Sequence, residues 1–206
     1  MTLFFCILNS AQWRIRRVLI KTERISGPPS LACDREGKGP LPILLHGIGG
    51  NRTNWRVQLP DFSKTFHCVA WDTRGYGDSE DYEGPLDFED FAHDLVRVID
   101  HFNTDRAHLC GLSIGGQIAQ CFYRLYPERV ASLVLAATFT HWGAALGDSA
   151  LENYLSLRLK PLQEGGKKPC HIAYAIAKSG HLINIEQPQV FNHAVLHFLD
   201  DVTPTR

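Results

Sequence analysis

The chain contains the segment Cys110-Gly111-Leu112-Ser113-Ile114-Gly115-Gly116, which lies between an apolar run at 107–110 and a helix-like segment at 117–126. A strand, a Gly-x-Ser-x-Gly turn and a helix in this order hold a serine hydroxyl where it can serve as a nucleophile. The turn must be sharp, and the two glycines of the pattern leave the room that it needs. Ser113 is therefore the first candidate catalytic residue.

Strands and helices alternate along the rest of the chain. Apolar runs predict buried strands at residues 41–46, 68–71, 107–110 and 130–137. Helical periodicity over residues 88–102 predicts a helix, with Asp87 near its start as a cap. Parallel strands need long connections, so this alternation predicts an α/β fold with a mostly parallel sheet and helices on both faces.

Length and composition favour one globular domain. The 206 residues are 44% hydrophobic, which is enough to bury one substantial core. We expect the domain to occupy residues 29–206, after an irregular N-terminal leader at 1–28. The chain has 21 basic and 22 acidic residues, and this near balance of charge gives no indication of a nucleic-acid surface. A small molecule is the expected partner.

The cysteines and the apolar N-terminal run bear on location. Residues 3–8 are apolar but far short of the roughly 20 residues that span a bilayer, so we expect no membrane association. The six cysteines form no CxxC pair, and two of them lie in predicted strands. This usage suits reduced thiols and a cytoplasmic protein better than a disulfide framework.

Glycines and polar residues follow the predicted strands at the ends where open parallel sheets bind ligands. His-Gly-Ile-Gly-Gly at 46–50 follows the first strand, and Asp-Thr-Arg-Gly-Tyr-Gly-Asp-Ser at 72–79 follows the second. Ser113 follows the third strand. Gly-His-Leu at 180–182 precedes a predicted closing helix, in which Pro188 suits the first turn.

Together these four motifs resemble those of the α/β-hydrolase superfamily, in particular the small bacterial ester and lactone hydrolases that include the 3-oxoadipate enol-lactonases. The resemblance covers residues 30–146 and then 180–200. It implies an α/β-hydrolase fold. It also implies cleavage of a small carboxylic ester or lactone through an acyl-enzyme, with no cofactor and no metal.

The resemblance assigns roles to individual residues. Ser113 would be the nucleophile, and His181 the base that takes its proton and returns it to the leaving group. The backbone N–H groups of Ile48 and Ile114 would form the oxyanion hole. The 72–79 motif resembles a scaffold element of the family, so its charged residues, Arg74 and Asp78, are expected to organise loops.

The catalytic acid has no clear position in this sequence. The family order places it between the serine and the histidine. The interval 140–179 is too short for a complete lid, an acid-bearing strand and a last strand, and we interpret it as a remnant lid beside a shortened C-terminal part of the sheet. Its carboxylates are Asp148, Glu152 and Glu164. None follows an apolar run, so the acid stays unassigned.

Several alternatives stay open. Without its acid, a Ser-His pair is expected to be slower by several orders of magnitude, which allows a catalytically impaired hydrolase or a non-catalytic ligand-binding module. A carbon–carbon bond hydrolase carries the same motifs. His193 and His197 are spaced to share a metal, but no HExxH is present, and a solvated helix face is expected. An unpaired sheet edge would allow a homo-oligomer.

Overall fold

The computed structural model describes residues 20–138 and 180–203. Within them, six strands form one sheet: β1 (Lys21–Ile25), β2 (Leu31–Glu36), β3 (Pro42–Leu45), β4 (Cys68–Trp71), β5 (Ala107–Leu112) and β6 (Val130–Ala136). The strand order is β1-β2-β4-β3-β5-β6. Strands β3 to β6 pair in parallel, whereas β2 pairs antiparallel with both β1 and β4. The predicted mostly parallel α/β sheet is confirmed.

In the described ranges five α-helices accompany the sheet: α1 (Leu59–Phe62), α2 (Phe88–His101), α3 (Ile114–Leu125), α4 (Ile183–Glu186) and α5 (Pro188–Val202). Short 3₁₀ helices lie at Arg52–Trp55 and Pro127–Arg129. The Asp87 side chain accepts a hydrogen bond from the N–H of Glu89, 3.0 Å away, and so caps α2 as predicted. Pro188 occupies the first turn of α5, also as predicted.

Helices cover both faces of the sheet because alternate strand residues point to opposite sides. Ile43 and Leu45 belong to an apolar cluster that contains the buried faces of α2 and α3. Leu44, which lies between them, belongs to a second cluster that contains α1 and α5. The sheet is therefore the middle layer of three, and the carboxyl ends of β3, β4 and β5 carry the loops of the site.

The start of the regular structure differs from the prediction. Residues 1–28 were expected to be an irregular leader, but β1 pairs with β2 along its whole length. Only Ile25 of the five β1 residues is buried, so no apolar run marks this strand. In β2 the buried Asp34 interrupts the apolar pattern. Residues 1–19 lie outside the described part of the chain.

Strand β6 is less buried than its apolar sequence indicates. Ala131, Leu133 and Val134 are half-buried, and Leu135 is 42% exposed. Among residues 20–138 and 180–203, no strand pairs with the far side of β6. The interval interpreted as a remnant lid, 140–179, lies outside the described residues.

Candidate functional site

Ser113 lies directly after β5 in a strained backbone conformation. Its φ of 55° and ψ of −118° fall where L-residues other than glycine are rarely found. Hydrogen bonds fix the backbone on both sides: the Ser113 N–H donates to the carbonyl of Ala136 (2.9 Å), and the Ser113 carbonyl accepts from the N–H of Gly116 (3.0 Å) and the hydroxyl of Thr138 (2.6 Å). The turn predicted from the Gly-x-Ser-x-Gly pattern is therefore present.

Close packing explains the two glycines of this turn. A Cβ on Gly115 would lie 2.3 Å from the carbonyl oxygen of Leu45, so the first turn of α3 rests directly on the backbone at the end of β3. A Cβ on Gly111 would lie 2.4 Å from the carbonyl oxygen of Gly115. Any side chain at either position would push α3 away and move Ser113.

The loop at residues 46–50 lies beside Ser113. A Cβ built on Gly47 would be 3.4 Å from the Ser113 Cβ. The Gly47 carbonyl accepts from His46 Nδ1 (2.8 Å) and from the N–H of Gly50 (3.0 Å). Because a peptide unit is planar, holding this carbonyl also fixes the direction of the Ile48 N–H.

The backbone N–H groups of Ile48 and Ile114 were predicted to form an oxyanion hole. Within the described part of the chain, neither the Ile48 N–H nor the Ile114 N–H donates to another protein group. Ile114 is the first residue of α3, and the N–H groups of a first helical turn have no partner within their helix. An oxyanion hole needs donors without a protein acceptor, and among the described residues both N–H groups meet that requirement.

His46 is buried and its ring is fully engaged. Nδ1 contacts the Gly47 carbonyl, which can only accept, and Nε2 contacts the N–H of Thr73 (3.3 Å), which can only donate. The ring is therefore neutral with its proton on Nδ1. Burial lowers the pKa of His46, which agrees with this state. His46 supports the loop and is not free to act as a base.

A buried charge cluster lies behind the loop, and we call Arg52 with Asp34, Asp72 and Asp78 the Arg52 cluster. The Arg52 side chain is 9% exposed and forms ion pairs with all three carboxylates. Burial opposes the charge on Arg52, but the hydrogen bonds to these carboxylates outweigh it and raise its pKa. The cluster joins β2, the 3₁₀ helix at Arg52–Trp55 and the loop after β4.

Both charged residues singled out in the 72–79 motif make structural contacts. Asp78 belongs to the Arg52 cluster, and its N–H donates to Asp72 Oδ2 (2.8 Å). Arg74 forms a two-pronged ion pair with the buried Asp94 of α2, at 2.7 and 2.9 Å. These contacts fit the expectation that the motif organises loops.

His181 lies in the loop before α4 and is exposed. The Glu186 carboxylate holds this loop by accepting from the N–H groups of Gly180 and Leu182, the latter at 3.1 Å. Between the two described segments, no hydrogen bond joins His181 to the Ser113 hydroxyl. The structure thus brings Ser113 together with the 46–50 loop but does not pair it with His181, whose role stays a prediction.

The family model for the alpha/beta hydrolase fold matches residues 41–158, which is more than half of the chain. The chain belongs to this family. The match begins just before β3 and includes the 46–50 loop, the 72–79 motif and the Ser113 turn. The predicted α/β-hydrolase fold is thereby confirmed.

Curated relatives and solved structures agree with this assignment. The dihydrolipoyllysine-residue acetyltransferase component of the acetoin cleaving system of Pseudomonas putida is 32% identical over 134 residues, 65% of this chain and 35% of that protein. 3-Oxoadipate enol-lactonase 2 of Acinetobacter baylyi is 30% identical over 106 residues, 52% of this chain and 40% of that protein. The chain thus spans two fifths or less of these relatives.

A solved structure matches over a larger share. A thermophilic esterase from Thermogutta terrifontis matches this α/β hydrolase with a TM-score of 0.75 and 21% identity, over 89% of this chain and 100% of that one. At this identity the likeness shows the shared fold.

The two histidines of this α/β hydrolase that are spaced to share a metal, His193 and His197, lie on α5. His193 and His197 are exposed, and His197 Nδ1 lies 3.3 Å from Asp201. Over the described ranges, no three His, Cys, Asp or Glu side chains are placed to hold a metal ion. In the same ranges, no helix has both the length and the apolar character to cross a bilayer.

The cysteines of the described residues are free thiols. Cys33, Cys68 and Cys110 are buried, and burial raises the pKa of each, to about 12 for Cys33 and Cys110. These thiols are therefore protonated and unreactive at neutral pH.

Sequence reasoning missed Arg52 and Glu186. The partners of Arg52 lie 18 to 26 residues away, so no local pattern points to the cluster. Glu186 lies on a short helix that apolar periodicity does not mark. The three candidate acids, Asp148, Glu152 and Glu164, lie outside the described residues.

Proposed function

We propose that this α/β hydrolase is a serine hydrolase that cleaves a small carboxylic ester or lactone through an acyl-enzyme on Ser113. The observation that carries the proposal is the strained turn at Ser113, together with two backbone N–H groups, of Ile48 and Ile114, that have no acceptor among the described residues. Such strain costs about 1–3 kcal/mol and persists where the surrounding structure enforces it, often at active sites.

The first half of the reaction forms the acyl-enzyme. The Ser113 oxygen attacks the carbonyl carbon of the ester while His181 takes the hydroxyl proton. Negative charge develops on the carbonyl oxygen, where the N–H groups of Ile48 and Ile114 stabilise it. The carbon–oxygen bond of the ester then breaks, and His181 gives its proton to the leaving oxygen. In a lactone the leaving oxygen stays in the same molecule.

The second half releases the acid. A water molecule attacks the acyl carbon while His181 takes one of its protons, and the Ser113 oxygen leaves and recovers that proton. His181 must come within about 2.6–3.2 Å of Ser113, and such bonds are often longer in a free enzyme than in its substrate complex. The proposal therefore includes a shorter Ser113–His181 distance when substrate is bound.

The proposal also covers the cofactor, the partner and the cellular location. The chemistry uses protein groups alone, with no cofactor or metal, and the only required partner is the small ester or lactone. The protonated buried thiols fit a reducing compartment, so we propose a cytoplasmic location.

A second candidate function is a binding module that keeps the fold without turnover. The exposed His181, without a hydrogen bond to Ser113 or to any described carboxylate, favours it. Loss of the orienting acid lowers the rate of a serine triad by about 10⁴-fold. The free Ile48 and Ile114 donors would then hold a carbonyl or carboxylate oxygen of a ligand.

Steady-state hydrolysis of p-nitrophenyl acetate and butyrate separates the two candidates. The wild-type chain is compared with Ser113→Ala and with Ser132→Ala, which removes a buried hydroxyl that is hydrogen-bonded to His108. The proposed hydrolase loses turnover in Ser113→Ala and keeps it in Ser132→Ala. Turnover that is absent in the folded wild type supports the binding module. Turnover that survives Ser113→Ala contradicts the proposed role of Ser113 as the nucleophile.

A further inference from the structure

We propose that Asn184 is a positioning residue. It holds the loop at 180–182, which contains His181, against residues 54–58. These residues come shortly after the loop at 46–50, which we call the oxyanion loop. This inference rests on the proposed function, in which His181 is the base. It adds a coupling between two parts of the site that are far apart in sequence.

Asn184 is fully buried in α4, three residues after His181. Its Nδ2 donates to the carbonyl of Asn54 (3.1 Å) and to Gln58 Oε1 (3.3 Å). Its own backbone carbonyl accepts from Gln58 Nε2 (2.8 Å). Three hydrogen bonds thus join α4 to a segment about 130 residues earlier in the chain.

The partners of Asn184 are themselves fixed. Gln58 is fully buried, and its Nε2 also donates to Asn192 Oδ1 (3.1 Å). Asn192 Nδ2 donates to Asp61 Oδ2 (2.9 Å). A buried polar group without a partner costs about 1–3 kcal/mol, so these bonds are not readily exchanged. The network therefore behaves as one rigid connection between α1, α4 and α5.

The same segment supports the oxyanion loop. Asn54 Oδ1 accepts from the N–H of Asn51 (3.2 Å), which begins the 3₁₀ helix directly after the loop. A Cβ added to Gly50 would lie 3.1 Å from Asn54 Nδ2, and the Gly50 N–H donates to the Gly47 carbonyl beside Ser113. Asn54 thus contacts the oxyanion loop through its side chain and Asn184 through its backbone.

The connection continues from Asn184 to His181 itself. Glu186, on the same helix, holds the N–H groups on both sides of His181. A shift of α4 would therefore move His181 relative to Ser113. A misplacement of about 1 Å at a catalytic group can cost about a hundredfold in rate.

The test measures how fast a fluorophosphonate probe labels Ser113 in two variants. Asn184→Leu removes the bonds from Asn184 Nδ2 to Asn54 and Gln58. Gln58→Met removes both bonds between Gln58 and Asn184, together with the bond to Asn192. Each substitution should slow labelling about tenfold to a hundredfold. In a His181→Ala background the same substitutions should cause no further slowing, because the group that they position is gone. Ser132→Ala, a buried polar change elsewhere, should label at the wild-type rate.

Ester kinetics and hydrogen exchange give two further measurements. With p-nitrophenyl acetate, Asn184→Leu should lower kcat and leave KM nearly unchanged, since no binding contact is removed. Amide hydrogen exchange should become faster in both peptides that the network joins, 47–55 and 180–187. Exchange that stays at the wild-type rate in both peptides overturns the anchoring.

The outcomes distinguish this inference from the proposed function. A folded wild type that does not label at Ser113 overturns the proposed function and, with it, the catalytic role of Asn184. Labelling in the wild type, with equal slowing by Asn184→Leu in both backgrounds, overturns the inference alone. Slowing that disappears in the His181→Ala background supports it.

Discussion

Ser113 combines a reactive side chain with a backbone conformation that suits glycine best. Its φ of 55° is held by the carbonyl of Ala136, the N–H of Gly116 and the hydroxyl of Thr138. Ser113 as a residue is 9% exposed and lies at the end of β5, so the strained turn holds its side chain in a partly enclosed position. Stability and reactivity are therefore in conflict at this residue.

This conflict predicts that Ser113→Gly is more stable than Ser113→Ala. Alanine keeps the backbone strain, whereas glycine relieves about 1–3 kcal/mol of it and loses about 0.5–1 kcal/mol to backbone entropy. Urea unfolding should show a free energy of unfolding about 1 kcal/mol higher for the glycine variant. An alanine variant as stable as the glycine variant would show that the turn is unstrained.

At the scale of elements, apolar runs in the sequence predicted four of the six strands in the described residues, β3 to β6. Strands β3 to β6 match the apolar runs within two residues, because β3, β4 and β5 are buried throughout and β6 is apolar although only partly buried. Apolar patterns did not predict β1 and β2. Strand β1 exposes most of its residues, and β2 buries Asp34, whose charge is balanced by Arg52. That balance exists only in the folded chain.

The same distinction applies to the site. Ser113 and the 46–50 loop were predictable because each lies in a short contiguous motif, although the groups that Gly115 and Ser113 contact, Leu45 and Ala136, are distant in sequence. The bonds of Asn184 to Gln58 span 126 residues, and no spacing in the sequence points to them. His181 was singled out through the family resemblance, which does not fix its distance from the serine.

The Arg52 cluster predicts a large difference between two substitutions. Arg52→Met leaves Asp34 and Asp72 buried without their cation and should cost about 3–5 kcal/mol of unfolding free energy. Asp78→Asn removes only the carboxylate that is 59% exposed and should cost less than about 1 kcal/mol. Urea unfolding at pH 7 measures both. Similar costs for the two variants would mean that the cluster is not the link between β2 and the loops.

At the scale of the whole molecule, His108 connects the sheet to the last helix. It lies buried in β5, its Nδ1 contacts the Ser132 hydroxyl in β6 (2.8 Å), and its Nε2 lies 3.4 Å from the Thr203 hydroxyl just after α5. Burial, with a smaller contribution from the charge of Arg106, lowers the pKa of His108 to about 4. His108 is therefore neutral in the folded protein at neutral pH.

This predicts that the fold loses stability in mild acid. Above pH 6.5 His108 is neutral in both folded and unfolded chains; below it, only the unfolded chain takes up the proton, until the pH reaches about 4. Between pH 7 and pH 5, His108 alone should remove about 2 kcal/mol of unfolding free energy. Burial also lowers the pKa values of His46 and His67, which adds in the same direction.

Urea unfolding at pH 7, 6 and 5 checks this dependence. His108→Gln should be less stable than the wild type at pH 7 but should lose less stability on acidification. A wild-type stability that stays constant from pH 7 to pH 5 would contradict the buried neutral state of His108.

The assignment of Ser113 as nucleophile is tested most directly by mass spectrometry of the folded protein after reaction with a fluorophosphonate probe, with Ser113→Ala treated in parallel. We predict one adduct per chain, located by peptide mapping on the peptide that contains Ser113, and none in the alanine variant. A folded wild type that carries no adduct, or an adduct that persists in Ser113→Ala, would contradict this assignment.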